Sequence, residues 1–315
     1  MSDLGRVVVL AGGLSHERDI SLRSGSRVAE ELRDLGVTVE LRDADAAFVR
    51  GAAEDPPDVV LPLLHGSQGE DGSLRTVLEM LQLRYVGAEP AASRLAFDKP
   101  TANTVVARAG LNVPEAWVLP HSTFRDLGAD ALLSSAMRAL GLPLVVQPAR
   151  GGSALGCSIV HDVSELPSAM VGCFAYAEDA LLQRYVSGME VAVSVIDTGD
   201  GPVALPPVEI VPDGPFYDYQ ARYTAGATEF FVPARLDPAT REAVAAAAVS
   251  AHGALGLRDL SRSDFIVDAD GIPWFLESNV APGMTETSLF PLAVAGSGQR
   301  LGEVLRALLV HAHRR

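Results

Sequence analysis

Short apolar runs and longer polar–apolar stretches alternate along this chain. VVVLAG at 6–11 and VVLPLL at 59–64 read as buried strands, each ending in a glycine-bearing turn. The stretch 21–35 reads as a helix with Ser15 or Ser21 placed to cap it. Further strands are expected near 37–42, 116–119, 142–148, 178–186 and 191–196. Helices are expected over 73–82 and 102–109, in the alanine-rich stretch 238–255 and in the amphipathic stretch 297–313. A strand, a glycine turn and a helix in that order open an α/β sheet, whose ligands gather beyond the strand C-termini. The later mixture of strands and helices predicts α+β units. No internal repeat or long linker interrupts it.

Residues 262–268 and 273–279 alternate polar and apolar, and Asp270-Gly271 marks a turn between them. Pairing Asp268 with Pro273 across a four-residue loop sets Asp264 opposite Glu277. Asn279, two residues on, points to the same side. Two carboxylates and an amide oxygen on one surface are hard donors of the kind magnesium prefers. Asp264 and Glu277 by themselves equally describe a solvated cross-strand pair. Pro282-Gly283 then ends the strand and leaves a bare backbone in the following loop.

The chain has 315 residues, 48% of them hydrophobic and 21% charged, the size of two or three globular domains. No apolar run reaches the ~18 residues of a membrane span, and no leader pattern opens the chain. Two cysteines, Cys157 and Cys173, make no disulfide framework and fit a reducing cytoplasm. A net charge of −15 argues against nucleic acid as a partner. Lys99 is the sole lysine among 25 basic residues. A lone compact ammonium in an arginine-rich chain points to a role arginine cannot fill.

Arg262-Ser-Asp264-Phe, Leu276-Glu277-Ser-Asn279 and Pro282-Gly283-Met-Thr with Ser288-Leu289 together resemble the C-terminal signature of the D-alanine–D-alanine ligases, members of the ATP-grasp superfamily. Gly12-Gly13-Leu-Ser-His-Glu17-Arg and His65-Gly-Ser-Gln-Gly-Glu70-Asp71-Gly resemble that family's N-terminal motifs. Phe97-Asp98-Lys99, the loop 149–156 and Phe216-Tyr-Asp-Tyr-Gln-Ala-Arg222-Tyr223 match further ones. The resemblance runs from Val7 to about Pro291. It implies an N-terminal α/β domain (1–96) followed by a two-domain ATP-grasp fold (97–187 and 188–315).

By that resemblance the chain joins two D-alanines through an acyl phosphate, using ATP and one or two magnesium ions, with manganese as a substitute. Glu17 binds the first ammonium and joins Ser153 and Tyr223 in a hydrogen-bonded triad. His65 sits by the first substrate, and Glu70-Asp71 brace its loop. Lys99, Gln147, Gly152, Ser153, Gln183, Arg184, Glu190, Phe216 and Arg222 surround the nucleotide. Asp264, Glu277 and Asn279 hold the metal. Arg262 and the Gly283 N–H face the oxyanion, and Ser288 and Leu289 meet the second carboxylate. Residues 216–223 form a lid. A cytoplasmic homodimer is implied.

Four positions depart from the family pattern. Arg184 and Arg222 replace lysine and keep the charge. Gln147 replaces a lysine and Gln183 a glutamate, which predicts weaker ATP binding. Two alternatives stay open: an ATP-grasp ligase of other substrates, and a paralogue with impaired nucleotide binding and little or no turnover.

Overall fold

The computed structural model of the protein describes residues 4–315, except Pro215, Ala225 and the side chains of Gln220 and Tyr223. Its described strands form three sheets. The first is parallel, ordered β2-β1-β3 from β1 (Arg6–Ala11), β2 (Thr38–Asp43) and β3 (Val59–Pro62). Val7–Ala11 and all of β3 are buried, as continuous apolar runs require. The helix Arg18–Asp34 packs against this sheet. Its N-cap residue is Glu17, not either expected serine. Ser21 lies inside the helix, where its hydroxyl accepts the Gly12 N–H and donates to the Leu63 carbonyl, both at 2.8 Å. That bond pair ties the glycine turn after β1 to the end of β3.

The second sheet is antiparallel, ordered β4-β7-β5-β6 from β4 (Ala116–Pro120), β5 (Leu144–Pro148), β6 (Ser158–Val160) and β7 (Asp179–Arg184). It has its own core, built on Leu144, Val146, Leu166, Met170 and Leu182. The glycine-rich loop joins β5 to β6.

The third sheet is ordered β11-β10-β8-β12-β13, with β9 paired to β8. Its strands are β8 (Met189–Ile196), β9 (Val203–Ala204), β10 (Val208–Pro212), β11 (Thr228–Phe231), β12 (Leu260–Val267) and β13 (Pro273–Asn279). Val191, Val193, Phe265 and Phe275 on one face pack with helix Pro238–Ala254 and with the pair Pro90–Phe97 and Lys99–Arg108. Ala192, Val208 and Leu260 on the other face share a core with the first sheet and helices Leu289–Gly296 and Leu301–His313. The last expected helix therefore starts at Leu301 rather than 297, after a separate short helix.

The alternation of β12 and β13 gives the expected face but not the expected turn. Asp264 stands opposite Glu277, and Arg262 opposite Asn279. Val267, not Asp268, pairs with Pro273, and a bulge between Asp264 and Phe265 absorbs the extra residue. Asp268 instead turns its carboxylate to the N–H groups of Asp270 and Ile272 and the Trp274 indole, at 3.0, 2.9 and 2.8 Å. No helix among the described residues is long and apolar enough to cross a membrane.

Candidate active site

Residues that face each other across antiparallel strands, and residues two apart along one strand, share a side of the sheet. Arg262 and Asp264 on β12, and Glu277 and Asn279 on β13, therefore stand together. Arg262 is buried and binds Asp264 through both carboxylate oxygens, Nε to Oδ1 at 2.7 Å and Nη2 to Oδ2 at 2.8 Å. Burial works against the guanidinium charge, but Asp264 and then Glu277 raise its pKa above the ordinary value. Lys99, equally buried, places Nζ 3.2 Å from Glu277 Oε2 and donates to the Gly151 carbonyl at 2.7 Å. Burial disfavours the Glu277 charge, yet Lys99, Arg222 and Arg262 hold its pKa below the usual carboxylate range. Asn279 Oδ1 accepts the Ala281 N–H at 2.7 Å.

Both carboxylates thus already carry a cation. Among the described residues no three His, Cys, Asp or Glu side chains gather as a metal site. The donors available to a cation here are the two carboxylates and the Asn279 amide oxygen.

A cavity of about 480 Å³ lies between the second and third sheets, within the size range of small-molecule sites. Its cationic end is formed by Lys99 and Arg222 beside Gly151 and Gly152, and its apolar walls by Val145, Ile159, Met189 and Leu276. Phe216 and Glu190 also line it, and burial pushes the Glu190 carboxyl up to about 7. Gln147 and Gln183 meet there, Nε2 of Gln147 donating to Oε1 of Gln183 at 3.2 Å. Gln183 is 3% exposed, and its own Nε2 has no hydrogen-bond partner among the described residues. Arg184 borders the same cavity, but its guanidinium binds Glu115 at 2.6 Å in a half-exposed pair.

A smaller cavity of about 80 Å³ adjoins it, with Glu277, Lys99 and Arg222 bordering both. Gly152, Ser153, Arg262, Gly283, Ser288 and Leu289 line it, as does His65. Ser153 Oγ donates to Glu17 Oε1 at 3.2 Å, and Glu17 is only 4% exposed. Ser153 and Ala154 both hold positive φ, 55° and 54°, a strained backbone for residues with side chains. Gly66 (φ 73°) is needed beside this pair, since a Cβ there would meet Glu17 Oε2 at 2.5 Å. Glu70 Oε1 accepts the Gly66 N–H at 2.8 Å, which braces the loop after β3. Burial pushes the Glu70 carboxyl up to about 7 and the His65 imidazole down to about 4. Both His65 ring nitrogens bond within the protein, to the Ala281 carbonyl at 3.0 Å and to Ser24 Oγ at 3.3 Å. Ser288 Oγ lies 3.0 Å from the Thr285 nitrogen and 2.7 Å from its hydroxyl. The Tyr223 side chain, the third member of the expected triad, lies outside the described residues.

Three residues at the site lie outside the roles that the motifs imply: Tyr217, within the 216–223 motif, and Ser24 and Arg75, in none. Tyr217 borders both cavities, and Arg222 stacks over its ring at 4.4 Å. Ser24 and Arg75 are buried polar side chains on helices. Their only signal is a hydroxyl or guanidinium on a buried helix stripe, where burial requires a bonding partner.

The family model described as D-ala D-ala ligase C-terminus matches residues 105–310, and that described as D-ala D-ala ligase N-terminus matches 43–88. The chain is 42% identical over 293 residues to a D-alanine–D-alanine ligase of Anaeromyxobacter dehalogenans, covering 93% of this chain and 92% of that one. Among solved structures it resembles the D-alanine–D-alanine ligase of Bacillus anthracis, with TM-score 0.84, 30% identity and 98% of both chains covered. The ATP complex of that ligase gives TM-score 0.81 at 28% identity, covering 98% of this chain and 97% of that one. The VanG D-Ala:D-Ser ligase of Enterococcus faecalis gives TM-score 0.83 at 26% identity, covering 98% of this chain and 99% of that one.

Proposed function

The chain belongs to the D-alanine–D-alanine ligase family, and from that premise we propose how its residues divide the work. It is an ATP-dependent ligase that joins two D-alanines for peptidoglycan. The observation that carries the assignment of roles is the face where Arg262, Asp264, Glu277 and Asn279 meet at the junction of the two cavities.

In the first step the carboxylate of one D-alanine attacks the γ-phosphorus of ATP, forming an acyl phosphate and releasing ADP. In the second, the amine of another D-alanine attacks the acyl carbon, and inorganic phosphate leaves. Glu17, held by Ser153, receives the first ammonium, with Tyr223 as the third group. Lys99 and Arg222 hold the phosphates with the backbone of the Gly152 loop. Gln147, Gln183, Arg184, Glu190 and Phe216 surround the base and ribose. Arg262 and the Gly283 N–H are the donors for the tetrahedral oxyanion, where preorganised charge counts most. Ser288 and Leu289 take the second carboxylate. The segment 216–223 closes over the acyl phosphate and keeps water from it.

Magnesium, or manganese in its place, fits Asp264, Glu277 and Asn279. These are hard oxygen donors, and both carboxylates already pair with cationic groups in the structure. One or two such ions supply positive charge against the phosphoryl oxygens. We also take the chain as three domains, 1–96, 97–187 and 188–315, acting as a cytoplasmic homodimer on small molecules and not on nucleic acid or membranes.

Phosphate release tests the assignment. Purified protein with ATP, magnesium and D-alanine releases phosphate and yields a dipeptide, whereas L-alanine gives neither. A mixed ester product when D-lactate is added to D-alanine, or no D-alanine dependence at all, overturns it.

A further inference from the structure

The segment Val280–Met284 carries Gly283 but is held from the other side of the molecule. Four of its backbone groups bond to side chains from the N-terminal part of the chain. His65 Nδ1 bonds the Ala281 carbonyl at 3.0 Å, and Arg75 Nη2 bonds the Val280 carbonyl at 3.1 Å. Ser24 Oγ accepts the Met284 N–H at 3.2 Å, and Arg27 Nη1 donates to the Met284 carbonyl at 3.2 Å. Arg75 is anchored in turn by the carbonyl of Gly69.

The hydrogens in this network can run only one way. A carbonyl accepts and never donates, so His65 Nδ1 carries the hydrogen. In a neutral imidazole that leaves Nε2 as an acceptor, and the donor 3.3 Å away is the Ser24 hydroxyl. Ser24 oxygen is then free to accept from Met284. Each group holds the next in a single tautomer and rotamer. Ser24, His65 and Arg75 are all buried, at 0%, 6% and 1% exposure. Removing any of them leaves a buried polar group without its partner.

We propose that Ser24 is a positioning residue for the acyl-transfer step. Through His65 and the Met284 N–H, it fixes the backbone that presents Gly283. The inference rests on the oxyanion role given to Gly283 above. It places control of the second half-reaction on the first sheet and its helix, apart from the nucleotide cavity between the other two sheets. His65 also borders the cavity of the first substrate, so phosphoryl transfer from ATP to the first D-alanine is affected less than acyl transfer rather than not at all.

The test uses Ser24→Ala in the full-length protein, with Ser24→Cys as a second variant of nearly the same volume. Amide hydrogen exchange read by mass spectrometry needs no turnover. Exchange over 280–285 should accelerate at least tenfold in S24A, while the glycine-rich loop 149–156 stays within twofold. Scrambling of the β,γ-bridge oxygen of labelled ATP with D-alanine reports acyl-phosphate formation. It should fall no more than about threefold, while kcat for dipeptide falls about tenfold and the KM for ATP is unchanged. Unchanged exchange over 280–285, or equal losses of scrambling and dipeptide formation in both variants, overturns the proposal. If the parent itself shows no D-alanine-dependent scrambling, the ligase roles fail, and the amide-exchange contrast alone decides whether Ser24 sets this segment.

Discussion

His65 and Glu70 sit a few residues apart, and burial moves their pKa values in opposite directions, to about 4 and about 7. Between pH 4 and 6.5 the unfolded chain protonates His65 and the folded chain does not. The unfolded state then binds more protons, so this residue makes stability rise with pH across that window. Glu70 does the reverse: from about pH 4.5 to 7 the folded state holds the extra proton, and stability falls as pH rises. Each shift corresponds to about 3 kcal/mol, and over most of the shared window the two slopes oppose each other. His65→Asn removes one of them. The urea midpoint of H65N, relative to the parent, should be highest near pH 4 and decline toward a plateau above pH 6.5. A difference curve that stays flat would show that His65 titrates normally in the folded protein. At this scale the sequence is least legible. His65 announces itself through its motif, but Ser24 is one more hydroxyl on a buried helix stripe, and its two partners, His65 and Met284, lie 41 and 260 residues away.

Between elements, the legible part is what period-two alternation controls. It put Asp264 opposite Glu277 and Asn279 on the same face, which the strand register bears out. The loop is one residue longer than the alternation predicts because nothing in residue type marks a bulge, and the bulge at Asp264/Phe265 restores the pairing of Asp264 with Glu277. Glu17 at the helix start in place of a serine has a similar cause: the nearby hydroxyl of Ser21 is drawn off by Gly12 and Leu63. Gln147 and Gln183 illustrate the same limit. Read along the chain they are two separate losses at the nucleotide. On adjacent strands β5 and β7 they are one hydrogen-bonded pair, standing where the family pattern has a lysine and a glutamate. A carboxylate restored at Gln183 alone is buried beside a neutral amide, and an ammonium at half-buried Gln147 alone gains no anion from it, whereas both together form an ion pair. Gln147→Lys and Gln183→Glu should each lower ATP affinity or leave it no better. The double variant, which restores the family pair, should bind ATP more tightly than either single variant and at least as tightly as the parent, a coupling of about 1–2 kcal/mol. Calorimetric ATP titration of the four proteins closes the cycle. Additive effects would mean that the two amides act independently.

Across the whole molecule, the first and third sheets share one apolar core while the second has its own. The nucleotide cavity therefore lies along the less continuous boundary, and the smaller cavity sits against the continuous one. A buried carboxylate helps to tie segment 85–87, which follows the helix Ser73–Met80 and bridges to Val60, to the third sheet. Asp259 takes the left-handed backbone (φ 64°) just before β12, with its side chain fully buried. Its Oδ2 accepts the Gly87 N–H at 2.6 Å, and Arg315, the last residue, binds both of its oxygens at 2.6 and 2.8 Å. Arg315 also reaches the Tyr85 carbonyl at 3.1 Å, so one guanidinium joins the helix Leu301–His313, segment 85–87 and the start of β12. Breaking a buried ion pair costs about 3–5 kcal/mol because the remaining charge is stranded. Arg315 is 30% exposed, and water can reach part of the gap, so the cost here is smaller. Arg315→Ala should lower unfolding stability by about 2 kcal/mol, and R315A paired with Asp259→Asn should recover part of that loss because no charge is then stranded. Urea denaturation of the single and double variants measures both numbers. Since neither residue borders either cavity, ATP affinity should stay within twofold. A large loss of ATP affinity in R315A would mean that this junction, although remote, governs how the second and third sheets meet around the nucleotide.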